Sequence, residues 1–143
     1  EGANSGVKYF VTEKEQTKGS AIGLEYQLLD NEKHADAKLG TGGNRTLASL
    51  YDLIPSIKTN QSYPTIADWN KGMIRVYPDN HVEHYLNGFK VVEYQRGTQM
   101  FKALVAYSKY AIWPDFGMAT KGRILLQEHG SRVDFRSIKI KLL

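Results

Sequence analysis

The sequence predicts an all-β sandwich or jelly roll that carries one short helix. Three observations lead there. Apolar residues recur with period two in most segments, the signature of strands with one buried face. Turn signals interrupt these segments at short intervals, and Asn87-Gly88 is the strongest of them, because a type I′ hairpin needs positive φ at both central residues. A single stretch near residue 100 switches to helical spacing. Many short strands and few helices fold as two packed sheets.

The elements follow in order. Residues 1–6 read as a turn leading into a strand at 7–11, which ends in the charged turn 13–19. In 21–30, Ile22, Leu24, Tyr26 and Leu28 share one face while Gly23, Glu25, Gln27 and Leu29 share the other. Residues 31–46 are polar and Gly-rich, a long loop of the kind that often carries function. A short strand is expected at 50–54, closed by Pro55, and others at 73–77, 82–86 and 90–94. Thr98 can cap a helix within 98–110, where Phe101, Leu104, Val105 and Ser108 fall on one side. Residues 122–129 and 133–142 make the last two strands, joined by a tight turn at Gly130-Ser131. With no repeat and no linker, residues 1–143 read as one domain.

Composition narrows the function classes. At 143 residues the chain has room for one core but not two. Its 24% of charged residues and net charge of +4 are ordinary for a soluble protein. The cationic residues are scattered, and the one basic run, 136–141, alternates with apolar positions as a half-buried strand does. That pattern argues against a nucleic-acid partner. The longest apolar run, 101–107, is far too short for a transmembrane segment. The absence of cysteine excludes disulfides, thiolate metal sites and a Cys nucleophile. No secretory signal stands at the N-terminus.

Strand parity then points to a site. Opposite the apolar face of 21–30 lie Glu25 and Gln27. Opposite Ile124 and Leu126 lie Gln127 and His129, and opposite Val133 and Phe135 lie Asp134 and Arg136. If these outer faces join, Glu25, Gln27, Gln127, His129 and Arg136 form one polar patch, the floor of a groove if the sheet curves. Amide, carboxylate and guanidinium groups suit sugar hydroxyls. Trp69, Tyr85 and Tyr51 are aromatic candidates for the sugar's C–H faces. His84, in register with Val82 and Leu86, reads as a satisfied core histidine. His34 and Asp36 sit in the long loop, within reach of a cleft.

A series of motifs adds to this. They are Asn4-Ser5-Gly6-Val7-Lys8-Tyr9-Phe10, Gly23-Leu24-Glu25-Tyr26-Gln27-Leu28-Leu29-Asp30, Ser49-Leu50-Tyr51-Asp52-Leu53 and Asp68-Trp69-Asn70. Val82-Glu83-His84-Tyr85-Leu86-Asn87-Gly88 follows, then Gly122-Arg123-Ile124-Leu125-Leu126-Gln127-Glu128-His129-Gly130 and Val133-Asp134-Phe135-Arg136-Ser137-Ile138-Lys139-Ile140. In this order they resemble the 3-keto-disaccharide hydrolase family over nearly the whole chain. The resemblance implies a concanavalin A-like jelly-roll β-sandwich acting on glycosides oxidised at C3, in the periplasm or outside the cell. The family's N-terminal strands are missing before Asn4, and Ser137 stands where Asn is usual.

A 3-keto sugar needs a base for its acidified C2 proton, an acid for the departing oxygen and a stabiliser for the enolate. Glu25 and His129 are the candidate proton-transfer groups. Asn4, Gln27, Tyr85, Asn87, Gln127, Arg136 and Trp69 are candidates for substrate contact. No metal-ligand spacing stands out, and a divalent ion on Glu25, His129 and water stays open as an alternative. The expected partner is therefore an oxidised carbohydrate, handled either by an enzyme or by a non-catalytic binding module.

Overall fold

The structure is a computed structural model that describes residues 2–13, 16–17, 20–65, 68–113 and 115–142. Strands β1 (Asn4–Val11), β4 (Leu24–Leu29) and β8 (Arg123–Leu126) form one antiparallel sheet in the order β4-β1-β8. Strands β5 (Gly72–Val76), β6 (His81–Leu86) and β7 (Phe89–Gln95) form the second as a meander. Between β1 and β4 lies the two-residue hairpin of β2 (Gln16–Thr17) and β3 (Ser20–Ala21). Helix α1 (Gln99–Ala106) follows the second sheet. The all-β sandwich with one short helix is what period two and the turn signals predict.

The core lies between the sheets. Leu24, Tyr9 and Tyr26 from the first meet Val82, Leu86, Val92 and Tyr94 from the second, all buried. Burial of each such side chain contributes about 1.5–3 kcal/mol. Phe101 and Val105, one helical turn apart, close the core from α1. Thr98 caps that helix as predicted, its Oγ1 accepting from Phe101 N at 3.2 Å. The β6–β7 turn is left-handed at both central residues, with φ of 53° at Asn87 and 92° at Gly88, as the Asn-Gly pair requires.

His84 is a satisfied core histidine. Its Nδ1 lies 3.1 Å from the Ala48 carbonyl, so it carries the proton there, and Nε2 accepts from Tyr9 Oη at 2.7 Å. Tyr9 Oη also sits 2.7 Å from Tyr94 Oη. Burial pushes the His84 imidazole down to about 4, which keeps it neutral in the core.

Two expected strands are absent. Residues 48–51 do bond along the free edge of β4, through Ala48 N to Gln27 O (2.7 Å) and Tyr51 N to Glu25 O (3.0 Å). The segment then folds back, with Leu50 and Ile54 bridged to each other. Ala48 and Asp52 take φ of 65° and 61°, which an extended strand does not allow. Residues 133–142 pair with no strand among the described residues, and Ile138, Ile140 and Leu142 are exposed. Alternation marks a chain that has two faces; it does not supply the neighbour whose hydrogen bonds make a strand. Within this tail Ser137 sits at φ 53°, a conformation that Asn adopts more readily than Ser.

Candidate active site

The face of β4 that carries Glu25 and Gln27 is the floor of a pocket. Register places Gly6 beside Gln27 and Lys8 beside Glu25, and cross-strand neighbours point the same way. Asn4, Gly6 and Lys8 therefore join the two β4 residues. On the other side Leu125 lies beside Lys8, and Gln127 N donates to Gly6 O at 2.8 Å. That bond carries the alternation on past β8, so Gln127 and His129 reach the same pocket. The cavity is about 290 Å³, and Tyr51, Lys109, Tyr110 and Trp113 wall it.

Parity thus brings Asn4, Glu25, Gln27, Gln127 and His129 together. The β1 and β4 part of the expected solvated face, however, is an interior one, with Gln127 half-buried and His129 exposed at its margin. Asn4, Lys8, Glu25 and Gln27 are all buried, because the folded-back segment at 48–54 and the turn after α1 cover the sheet. Both faces of β4 are enclosed.

Burial raises the proton affinity of Glu25, while Lys8, Lys109 and His129 draw it partly back. A Cβ at position 6 would meet Glu25 Oε1, so the glycine makes room for the carboxylate. The Gln27 side-chain amide lies 3.1 Å from both Glu25 Oε1 and the Ser5 carbonyl. With its NH₂ turned to these two acceptors it donates to both and holds the carboxylate in place. Gln127 Oε1 is buried and has no hydrogen-bond partner among the described residues, leaving it open to a ligand hydroxyl. Lys8 Nζ donates to Ala21 O at 3.1 Å.

The long loop braces the wall. Tyr51 donates to Asp36 Oδ2 at 2.7 Å. Arg45 spans Asp36 and Asp52 at 3.0 and 2.6 Å. Asp52 Oδ2 in turn accepts from Lys109 N at 2.9 Å. Asp36 therefore serves the cleft through Tyr51, whereas His34 Nδ1 only accepts from Asp36 N at the start of a 3₁₀ turn, Ala35–Lys38.

Four expected contact residues lie outside the pocket lining. Arg136 stacks on Trp69 with its guanidinium 3.9 Å from the ring centroid, since the tail that carries it does not extend the sheet. Tyr85 lies on the outer face of the second sheet and donates to Glu83 Oε2 at 2.9 Å. Asn87 ties the hairpin to its neighbours, accepting from Lys71 N at 2.9 Å and donating to Asn70 Oδ1 at 3.0 Å. Lys8, Lys109, Tyr110 and Trp113 were not foreseen. The alternation of β1 held a signal for Lys8; for the other three, which follow a helix, no sequence pattern does.

One carboxylate and one imidazole stand in the pocket beside two ammonium groups, fewer than the three His, Cys or carboxylate ligands that a catalytic zinc takes. Among the described residues three ligating side chains converge at His81, Glu83 and Glu93, on the outside of the second sheet. There the Lys90 ammonium already bonds both carboxylates.

The chain is similar to known proteins. A 3-keto-disaccharide hydrolase of Bacteroides thetaiotaomicron is 37% identical over an alignment of 161 positions, which takes in 99% of this chain and 54% of that protein. The chain spans about half the length of this curated relative. Two solved proteins of Parabacteroides distasonis carry the provisional description glycosyl hydrolase. One is 30% identical with a TM-score of 0.73, over 90% of this chain and 60% of that one. The other, at 21% identity and a TM-score of 0.55 over 90% and 65%, shares the fold. A family model described as the 3-keto-alpha-glucoside-1,2-lyase-like domain matches residues 1–141. This jelly-roll sandwich belongs to the 3-keto-alpha-glucoside-1,2-lyase-like domain family.

Proposed function

We propose that this chain cleaves the glycosidic bond of 3-keto-glycosides in the pocket on the β4-β1-β8 sheet. The observation that carries this reading is the buried Glu25 carboxylate, its proton affinity raised, in one cavity with His129. A base poised toward neutrality is what abstraction of a proton beside a ketone needs.

In the reaction Glu25 takes the C2 proton, and the C2–H electron pair becomes a C2–C3 double bond with negative charge on the C3 oxygen. Return of that charge expels the C1 oxygen substituent, which takes its proton from His129. Water then adds to C1, giving a proton back to His129, and Glu25 returns the proton to C2, so the net change is hydrolysis. Asn4, Gln27 and Gln127 bind hydroxyls, and Trp113 offers an aromatic face to the sugar's C–H surface. A periplasmic or extracellular location belongs to the same proposal and rests on the family resemblance.

The test is incubation of the protein with a 3-keto-disaccharide, with and without added divalent cations. Release of free sugar or of the unsaturated keto-sugar supports the proposal. No turnover, together with tight binding of unoxidised glycan that survives His129→Ala, makes the chain a binding module instead.

A further inference from the structure

We infer that Lys109 is a further catalytic residue of this pocket, its ammonium stabilising the oxyanion that forms at C3. The inference rests on the proposed reaction with Glu25 as base. It starts from an arrangement that simple charge pairing does not explain. Lys109 Nζ lies 4.1 Å from the centroid of the Tyr51 ring and 5.2 Å from that of Tyr110. Among the described residues it makes no hydrogen bond or ion pair. An acceptor is nearby, yet Asp52 gives one oxygen to the Lys109 backbone N–H and the other to Arg45. The backbone is pinned and the ammonium is left on two ring faces, a geometry favourable to a cation.

Glu25 and Lys109 line the same cavity without forming an ion pair, and each charge favours the ionised state of the other. A base and a cation so separated suit the two ends of one reacting unit. Glu25 takes the proton from C2, the electron pair moves into the C2–C3 bond, and the oxygen at C3 gains the charge. Lys109 donates a hydrogen bond to that oxygen and keeps its proton. The charge then returns to expel the C1 oxygen, protonated by His129. Lys109 is exposed as a residue, open to solvent until a substrate fills the cavity. Desolvation of its ammonium end against the Tyr51 and Tyr110 rings holds it below the ordinary lysine range, which makes it a better donor to a developing oxyanion.

The test uses the full chain with a 3-keto-disaccharide in D₂O, reading kcat, KM and deuterium uptake at C2. Lys109→Met is expected to lower kcat and C2 exchange by about 100-fold, the scale for loss of an oxyanion donor. KM is expected to stay within about threefold, since the contact is made in the transition state. Lys109→Arg is expected to recover at least about tenfold over the Met variant and to shift the alkaline limb of the kcat profile upward, because guanidinium stays charged. Wild-type turnover with Lys109→Met within about threefold of it, or a change in KM alone, overturns the inference and leaves the proposed function standing. An inactive wild type removes both. If the Met variant fails to fold, an unshifted alkaline limb in Lys109→Arg overturns the inference by itself.

Discussion

Gly6 and Glu25 occupy one space: a Cβ on Gly6 would fall against Glu25 Oε1 and lie 2.9 Å from its Cδ. The carboxylate on β4 leans across the neighbouring strand into the gap that a missing side chain leaves. A motif glycine thus serves the site through its lack of volume, on a strand where glycine otherwise weakens the sheet.

Gly6→Ala is therefore expected to expel the Glu25 carboxylate from its seat. Overpacking of this kind costs about 1–3 kcal/mol, read as a lowered melting temperature. Turnover of a 3-keto-disaccharide is expected to fall by at least about tenfold, since misplaced catalytic groups lose rate steeply.

Glu25→Gln separates catalysis from stability. Loss of the base is expected to lower kcat by about 10²–10⁴-fold. Stability moves the other way at neutral pH. The folded-state pKa of Glu25 is raised above its ordinary 4.5, so between the two values the folded chain holds more protons than the unfolded one. Stability from this group is fully present below 4.5 and is lost as pH rises through the folded value. Denaturation of both proteins from acid to neutral pH is expected to show the wild type losing stability relative to the variant as pH rises, since every other titrating group cancels in the difference.

His84 contributes the opposite slope. Its pKa is depressed from 6.5 to about 4 in the fold, so the unfolded chain takes up its proton first as pH falls. Stability is expected to drop between those values by an amount on the order of 3 kcal/mol. Replacement by Gln is expected to remove this slope from the denaturation profile.

Asn87→Ala and Arg136→Ala distinguish structural from substrate-binding roles. Asn87 accepts from the Lys71 N–H and donates to the Asn70 side-chain oxygen, both outside its own hairpin. Its loss is expected to cost about 1–2 kcal/mol in stability with KM unchanged. Arg136→Ala is expected to leave KM unchanged as well and to alter Trp69 fluorescence, because the guanidinium covers that ring. A raised KM in either variant would return that residue to the substrate site.

Much was legible beforehand. Period two located β4 and β6, Asn87-Gly88 marked the hairpin, Thr98 marked the helix start, and parity grouped Glu25, Gln27, Gln127, His129 and Arg136, of which the first four line the pocket. These features are local, decided by which way consecutive side chains point and which residues accept positive φ. Other features depend on distant chain. Whether 133–142 forms a strand depends on a partner, whether Arg136 reaches the pocket depends on that strand, and whether the polar face meets water depends on what folds over it.

By itself the sequence determined an all-β sandwich, its hairpin and the polar alternation that became the pocket floor. Only the tertiary structure decided that this floor is buried, that Gly6 makes room for Glu25, and that Tyr51, Lys109, Tyr110 and Trp113 form the wall. The reason is physical. Alternation sets the direction of a side chain within its own strand, while burial, proton affinity and the company of charges are set by segments far along the chain that pack against it.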